Sequence, residues 1–357
     1  MRAAALALAI APVIAGALPA QDARSIATVA STVPSNGDVN PYGVAVVPAS
    51  IGNLVKGHIL VSNFNNSSNL QGTGSTIVDI APDGAVSLFA WIDATTLPGP
   101  CPGGVGLTTA LVALRSGFVI VGSLPTTDGM SDTAQAGCLI VLNNAGTVVE
   151  IISSELINGP WDMTALDMGV TADLFVTNVL NGTVAANGGI VDEGTVVRIN
   201  LSFPSTSMPT VVSMTTIGSG FDERTDPAAL VIGPTGLGLG PNGTLYVADS
   251  LNNRIAAIAN AATLTASAGI GVTVFQGRNL NDPLGLAVRP GNGDILTVNG
   301  NNGFLVETTP AGVPVGHGLL DHSGTPPGSG ALFGLATAPE GLYFVDDATN
   351  TLNLLMQ

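Results

Sequence analysis

Short apolar runs separated by glycine- and proline-rich turns recur along the chain from about residue 40 onward, and nowhere is there the sustained 3.6-residue periodicity of a long helix. The recurring unit is about 50 to 70 residues long, a length that points to propellers or solenoids. It opens with an apolar stretch: PYGVAVVP from Pro41, PGGVGLTTAL from Pro102, PWDMTAL from Pro160, PTGLGLGP from Pro234, PLGLAVRP from Pro283 and LFGLATAP from Leu332. A turn and a second apolar run follow, at residues 58–63, 118–123, 174–178, 245–249, 295–299 and 342–346. Branched and aromatic residues between glycine turns make these runs strands. A third strand is predicted in every copy (STIVDIAP, GCLIVLNN, GTVVRINL, NRIAAIAN, GFLVETTP and TLNLLMQ). A fourth is predicted in five copies (AVSLFAW, TVVEIIS, TVVSMTT, VTVFQG and VPVGHGL).

The sixth copy lacks a fourth strand, while the β-rich stretch SIATVASTV at residues 25–33 has no assigned partner. If that stretch supplies the missing outer strand, the two chain ends share a sheet and the ring has no vulnerable edge where first and last repeats meet. The expected fold is therefore all-β: a six-bladed β-propeller of four-stranded blades, closed by the N-terminal strand joining the last blade. An open stack or a seven-bladed ring is the alternative, but a seventh blade needs about 40 further residues of the same pattern. No linker interrupts the repeats, so residues 21–357 read as one domain.

Composition bounds what this fold can do. The chain has 46 glycines and 23 prolines among 357 residues, 46% hydrophobic and only 10% charged, which describes a packed globular protein rather than a disordered one. Residues 1–20 carry one cation, Arg2, then an apolar run ending in small residues, the pattern of a signal peptide cleaved after Ala20, with Ala17 as an alternative site. The expected mature protein is secreted or periplasmic, without a membrane span. Losing Arg2 moves the net charge from -16 to -17 and leaves Lys56 the only lysine. That charge repels phosphate backbones and anionic lipid, so nucleic acid is excluded as a partner. A small molecule or an extracellular protein remains, bound by a monomer. Cys101 and Cys138, an even pair in an oxidising compartment, are candidates for a disulfide, with two separate buried thiols as the alternative.

Glycine two positions after the opening residue of the copy recurs at Gly43, Gly104, Gly236, Gly285 and Gly334 and lets innermost strands approach closely. A short polar residue ends each second strand: Asn63, Ser123, Asn178, Asp249, Asn299 and Asp346. Such side chains bond to the backbone of the following turn. The combination, P-x-G-L, a glycine turn, then L-Y-V-A-D and an asparagine soon after, is best preserved in PTGLGLGPNGTLYVADSLNNRIAAI at residues 234–258. It resembles the NHL-repeat propellers, related to the gluconolactonase and senescence-marker-protein family and to the streptogramin lyases. The resemblance covers about residues 40–357 and speaks to fold far more than to activity. It implies a divalent cation such as calcium at the channel mouth, with Asp249 in the position of one ligand. The family's asparagine and glutamate partners are missing: that blade's inner strand begins Pro234-Thr235-Gly236 and the first begins Pro41-Tyr42-Gly43. Lyase-like chemistry implies a histidine and a glutamate near the channel, whereas the repeat positions of His58, His317 and His322 do not place them together on the axis.

Function is best sought where one copy departs from the others. Asp162 takes the inner glycine position of the third copy, where a partly desolvated carboxylate can bind a cation, orient a ligand, act as a base, or simply bond to neighbouring backbone. Tyr42, Trp161 and Phe333 share the adjoining position in a chain only 4% aromatic. They either line the mouth of a pocket for an apolar or sugar-like ligand or wedge between blades as core. Three long loops, at residues 123–137, 178–194 and 218–233, are expected to build a recognition face, the last carrying Asp222, Glu223, Arg224 and Asp226. The expectation is an exported binding or interaction module with its site at one channel mouth, and Asp162, Trp161, Tyr42, Phe333 and Asp249 as ligand-binding candidates. The alternative is a propeller hydrolase or lyase acting on a small molecule, with Asp162 and Asp249 as its ionisable groups.

Overall fold

The structure, a computed structural model, describes residues 25–204 and 208–356; the expected leader lies outside them. Among the described residues, no helix is long and apolar enough to cross a membrane. Six antiparallel sheets follow one another around a ring. The innermost strands are Val39–Val46, Leu107–Ala113, Pro160–Asp167, Pro234–Leu239, Pro283–Val288 and Leu332–Ala338, for blades 1 to 6 in that order. Each pairs with the next strand in sequence, and the blade grows outward. The fold is a six-bladed β-propeller.

Ring closure occurs as the repeat pattern requires. Ile26–Ser31 is the outermost strand of blade 6 and pairs antiparallel with Thr351–Met356, from Ile26 opposite Leu355 to Ser31 opposite Thr351. Thr28 Oγ1 donates to Asn353 Oδ1 at 2.9 Å, and the Thr32 amide to the Asn350 carbonyl at 3.0 Å. First and last repeats are thereby held by backbone bonds. Cores lie between blades: Leu174, Val176 and Val197 of blade 3, for example, pack on Ile120, Leu139 and Val141 of blade 2. Alternating strand residues contribute to the cores on either side of a blade, which is why the apolar runs are nearly continuous.

The inner glycines carry out the expected packing. A Cβ at Gly285 would drive into the Phe333 carbonyl of blade 6, and one at Gly334 into the Tyr42 carbonyl of blade 1, so any larger residue would push neighbouring inner strands apart. Blade 2 departs from the sequence reading. Its inner strand starts at Leu107, which faces Ser123 as Pro41 faces Asn63, so Gly104 belongs to the preceding loop, with φ of 97°. Thr108, Thr109 and Ala110 then bulge, one residue more than in the other blades, before Leu111 regains the common register opposite Val121. The glycine spacing was misleading because Pro102 to Gly104 forms a turn: the Gly103 amide bonds to the Ala136 carbonyl, and the Cys101–Cys138 disulfide lies beside it. Closing 37 residues of separation, that bridge is worth about 3–4 kcal/mol through the unfolded state.

Blade 3 is the second departure. The expected loop at 218–233 is strand: Thr210–Asp226 runs on past its neighbour and folds back through Leu230–Ile232, giving this blade five strands. Phe221, Glu223 and Thr225 alternate inward along it, a pattern hidden because two of the three inward residues are polar. Asp226 Oδ1 accepts from the Ala228 and Ala229 amides at 2.8 and 3.3 Å and makes the turn. The loop at 178–194 is also partly regular, containing the short helix Thr183–Ala186 and the start of Val191–Ser202.

Deleting residues 25–33 should lower the melting temperature of the whole domain by more than about 10 °C, because it exposes one edge of blade 6 and breaks the ring. A truncated protein that melts like the parent by circular dichroism would show that the pairing is dispensable.

Candidate functional site

The two ends of the axis differ. At the face where inner strands begin, aromatic residues close the channel. Tyr42 stacks on Phe64 with ring centroids 4.3 Å apart and on Phe333 at 3.8 Å, and Trp161 tilts against Phe333 at 6.5 Å. The blade 3 extension lies among them: Trp161 Nε1 donates to the Val231 carbonyl at 3.1 Å, and Leu230, Val231 and Ile232 belong to the same buried cluster. Tyr42, Trp161 and Phe333 are each only 2% exposed. Of the two possibilities for this aromatic level, the structure places it as core, although Phe333 also borders a neighbouring cavity. Burial, reinforced by the nearby charge of Asp347, pushes the pKa of the buried Tyr42 hydroxyl well up.

Asp162 sits where the repeat places it, but on the other side of this plug. It lines a cavity of about 500 Å³ that opens at the opposite face among the far ends of the inner strands, with Leu237, Leu286 and Leu335 around it and Arg115 and Asp167 also in its wall. Its carboxylate bridges two blades, Oδ1 accepting from the Met163 amide and Oδ2 from the Leu237 amide, both at 2.8 Å. Burial raises its pKa to about 7 against the pull of those two bonds. The candidate residues are therefore not one constellation: Asp162 belongs to one end of the channel, and the aromatic residues and Asp249 to the other.

Asp249 is fully buried and committed to protein. Arg254 holds its Oδ2 through Nε at 2.8 Å and Nη2 at 2.7 Å, and Asn252 donates to Oδ1 at 3.1 Å. Among the described residues, no group of three or more His, Cys, Asp or Glu side chains is arranged to hold a metal ion. The divalent cation implied by the resemblance thus does not fit: Asp249 already has a guanidinium as its counter-charge, and Asp162, held by two backbone amides, has no second carboxylate or histidine grouped with it among the described residues. The histidines stay apart. His58 pairs with Asp79 at 2.8 Å, His317 borders a groove on blade 5, and His322 is exposed.

Beside the plug, the inner-strand entry face has a cavity of about 320 Å³. Arg224 and Asp226 enter it from the blade 3 extension, Ser250 and Asn253 from blade 4, Asn281 and Asp282 from the lead into blade 5, and Asn301 and Phe333 from blades 5 and 6. Arg224 Nη2 and Asp226 Oδ2 form an ion pair at 2.8 Å. Asp282 is different. Its amide is bound by Asn253 Oδ1 at 2.7 Å and its carbonyl by the Gly300 amide at 2.7 Å, yet its Oδ1 is buried with no partner. Burial first, then the nearby charge of Asp226, raises its pKa to about 6, opposed by Arg224. The backbone there is left-handed, with φ of 57°. A carboxylate in the wall of a polar cavity, its pKa raised by burial, makes this a candidate site.

Sequence reasoning passed over Asp282, although a signal was present. The residue before the one that faces the end of the second strand is Gly106, Gly159, Gly233 or Ala331 in four blades but Asn40 and Asp282 in the other two. Both of these have left-handed backbone, at 61° and 57°. Arg224 and Asp226 were singled out, but as loop charges rather than as the rim of a hairpin. Asn178 departs in the opposite sense: its counterparts Asn63 and Asn299 bond to Thr32 and Asn279 carbonyls, whereas both its amide atoms are buried without partners.

No family model and no curated protein sequence matches the chain. Solved structures do, and they share its fold. A calcium-binding protein, regucalcin, from Agrobacterium tumefaciens has 13% identity and a TM-score of 0.51, with 92% of this chain and 94% of that one covered. A luciferin-regenerating enzyme has 11% identity and a TM-score of 0.56, with 94% and 95% covered. Virginiamycin B lyase from Staphylococcus aureus, solved with quinupristin, has 13% identity and a TM-score of 0.50, with 93% and 99% covered. The resemblance read from the repeats is thus matched in three dimensions at the level of the six-bladed ring.

Two outcomes follow from this electrostatic arrangement. Asp162 and Asp347 are raised to about 7, Asp282 to about 6 and Glu223 to about 9, each mainly by burial. Between the unfolded carboxylate pKa, about 4, and these folded values the native state holds more protons than the unfolded chain, so stability is lost as pH rises. The melting temperature should be higher near pH 5 than near pH 8, and Asp162→Asn should flatten part of that slope; a melting temperature that climbs over this interval would contradict the burial of these groups. Calcium or EDTA should shift melting by less than about 1 °C, since a bound ion would stabilise the fold through mass action.

Proposed function

We propose that the chain is an exported small-molecule-binding propeller, with its site in the cavity bordered by Arg224, Asp226, Asn253, Asn281, Asp282, Asn301 and Phe333. The Asp282 carboxylate in the wall of this polar cavity, with no side-chain ion pair among the described residues, carries this reading. The surroundings supply the rest of a recognition site: an ion pair that is neutral as a unit and side-chain amides that both donate and accept. The apolar plug separates this pocket from the axial channel, so ligand approaches from the inner-strand entry face.

A second reading rests on the same carboxylate. A group with a pKa near 6 suits proton transfer at neutral pH, and lyase and luciferin-regenerating activities are named for propellers of similar fold. On this reading Asp282 takes or gives a proton in a metal-free hydrolase or lyase reaction, with Arg224 stabilising developing negative charge.

One experiment tests the site and separates the two readings. A small-molecule library is screened by thermal shift against the wild type and Asp282→Asn, and hits are incubated with both and analysed by mass spectrometry. Ligands that stabilise the wild type and lose tenfold or more in affinity in the variant, with no product, are expected for a binding module. Turnover lost in Asp282→Asn identifies the enzyme instead. Ligands that bind both proteins equally would remove the cavity from consideration.

A further inference from the structure

A second concave surface adjoins the Asp282 cavity. It is a groove of about 290 Å³ bordered by Arg278, Asn279, Leu280, Asn281, Asn302, Phe304 and His317, and Asn281 borders both spaces. The two ends have opposite character. One holds the unpartnered carboxylate of Asp282 next to the internally neutral Arg224–Asp226 pair. The other holds Arg278, which is exposed, has no carboxylate partner among the described residues and rests its guanidinium 5.8 Å from the Phe275 ring centroid. His317 stands beside it, 5.7 Å from Phe304 between ring centroids, with Nδ1 3.1 Å from Asn279 Nδ2.

This placement is notable in a protein with only nine Lys and Arg residues. Arg254, Arg224 and Arg289 are each paired with a carboxylate. Arg278, with no carboxylate partner among the described residues, brings a positive charge to the rim of the site, four residues from the Asp282 carboxylate. Between them Asn281 presents an amide, and Asn301 Nδ2 meets its Oδ1 at 3.5 Å, which leaves the Asn281 Nδ2 donor and the Asn301 Oδ1 acceptor free. A donor and an acceptor side by side match a peptide group.

We propose that the ligand is dipolar, a short peptide with its terminal ammonium against Asp282, a backbone amide on Asn281 and its terminal carboxylate against Arg278. This rests on the cavity assignment made above and adds the chemical class. Four residues of chain separate Arg278 from Asp282, so their Cα atoms lie at most about 14 Å apart, and an extended tripeptide of about 10 Å spans the gap with side-chain reach to spare. A free carboxylate pairs with a guanidinium by charge-assisted hydrogen bonds, and an ammonium with a desolvated carboxylate likewise. An aromatic residue at the ligand's C-terminus stacks on Phe304 or His317. The net negative charge of the protein disfavours ligands that are anionic overall and leaves a zwitterion unaffected.

The probe is the tripeptide Ala-Ala-Phe, compared by calorimetry with its N-acetylated and C-amidated forms. Wild-type protein is expected to bind the free tripeptide at least about tenfold more tightly than either capped form. Asp282→Asn should erase the preference for a free amine and keep that for a free carboxylate; Arg278→Gln should do the reverse. Melting curves of both variants establish that they are folded. Capped forms that bind the wild type as well as the free tripeptide would overturn the proposal, as would no binding of Ala-Ala-Phe at concentrations up to about 5 mM. If the tripeptide fails while library hits still depend on Asp282, the peptide class falls and the cavity stands; if hits ignore Asp282, the cavity falls as well.

Discussion

The pairing of Ile26–Ser31 with Thr351–Met356 is the constraint on which the rest of the molecule depends. A propeller blade has its cores on both faces, and blades 1 and 6 can bury theirs against each other only if the ring is shut. Tyr42 of blade 1 stacks on Phe333 of blade 6, and the Gly334 backbone packs against the Tyr42 carbonyl across that same junction. Without the shared sheet these contacts belong to opposite ends of the chain, and the cost of bringing them together falls on a few side chains. With it, the mouth of the channel is a fixed frame.

Against that frame, asymmetry is concentrated in blade 3 and its neighbours. Blades 1, 4, 5 and 6 keep glycine at the axial position and pack by close backbone approach. Blade 2 substitutes a bulge, and blade 3 a carboxylate that bridges to the Leu237 amide of blade 4. Blade 3 also extends its outer strand over the face and lays Leu230 to Ile232 onto the aromatic level. One insertion thus has two effects. It seals the axis with apolar side chains, and it brings Arg224 and Asp226 to the edge of an off-axis cavity whose other walls come from blades 4, 5 and 6. The site moves away from the symmetry axis because the axis itself is filled.

Much of the fold was legible because its determinants are local and repeated. Apolar runs at a common spacing, glycine turns and a missing sixth outer strand are all one-dimensional signals, and closure follows from counting them. The binding features were harder to read for physical reasons. Whether Tyr42, Trp161 and Phe333 line a pocket or fill a core depends on what covers them, and the cover comes from a segment whose alternation is masked by Glu223 and Thr225. Whether Asp249 is free to bind a cation depends on Arg254, five residues away and paired with it only across two strands. Asp282 shows the opposite case: the deviation from a small residue before the inner strand was visible, but its unpartnered oxygen is a property of three-dimensional surroundings.

Protection of the closing strand against amide hydrogen exchange bears most directly on this account, because it reads the pairing itself rather than its consequences. The amides of Ile26–Ser31 that bond to Thr351–Met356 should exchange only through opening of the whole domain, at rates shared with Leu342 to Val345 in the second strand of the same blade. Exchange of these amides at free-peptide rates while Leu342 to Val345 stay protected would mean that the ring is not closed by its N-terminal strand.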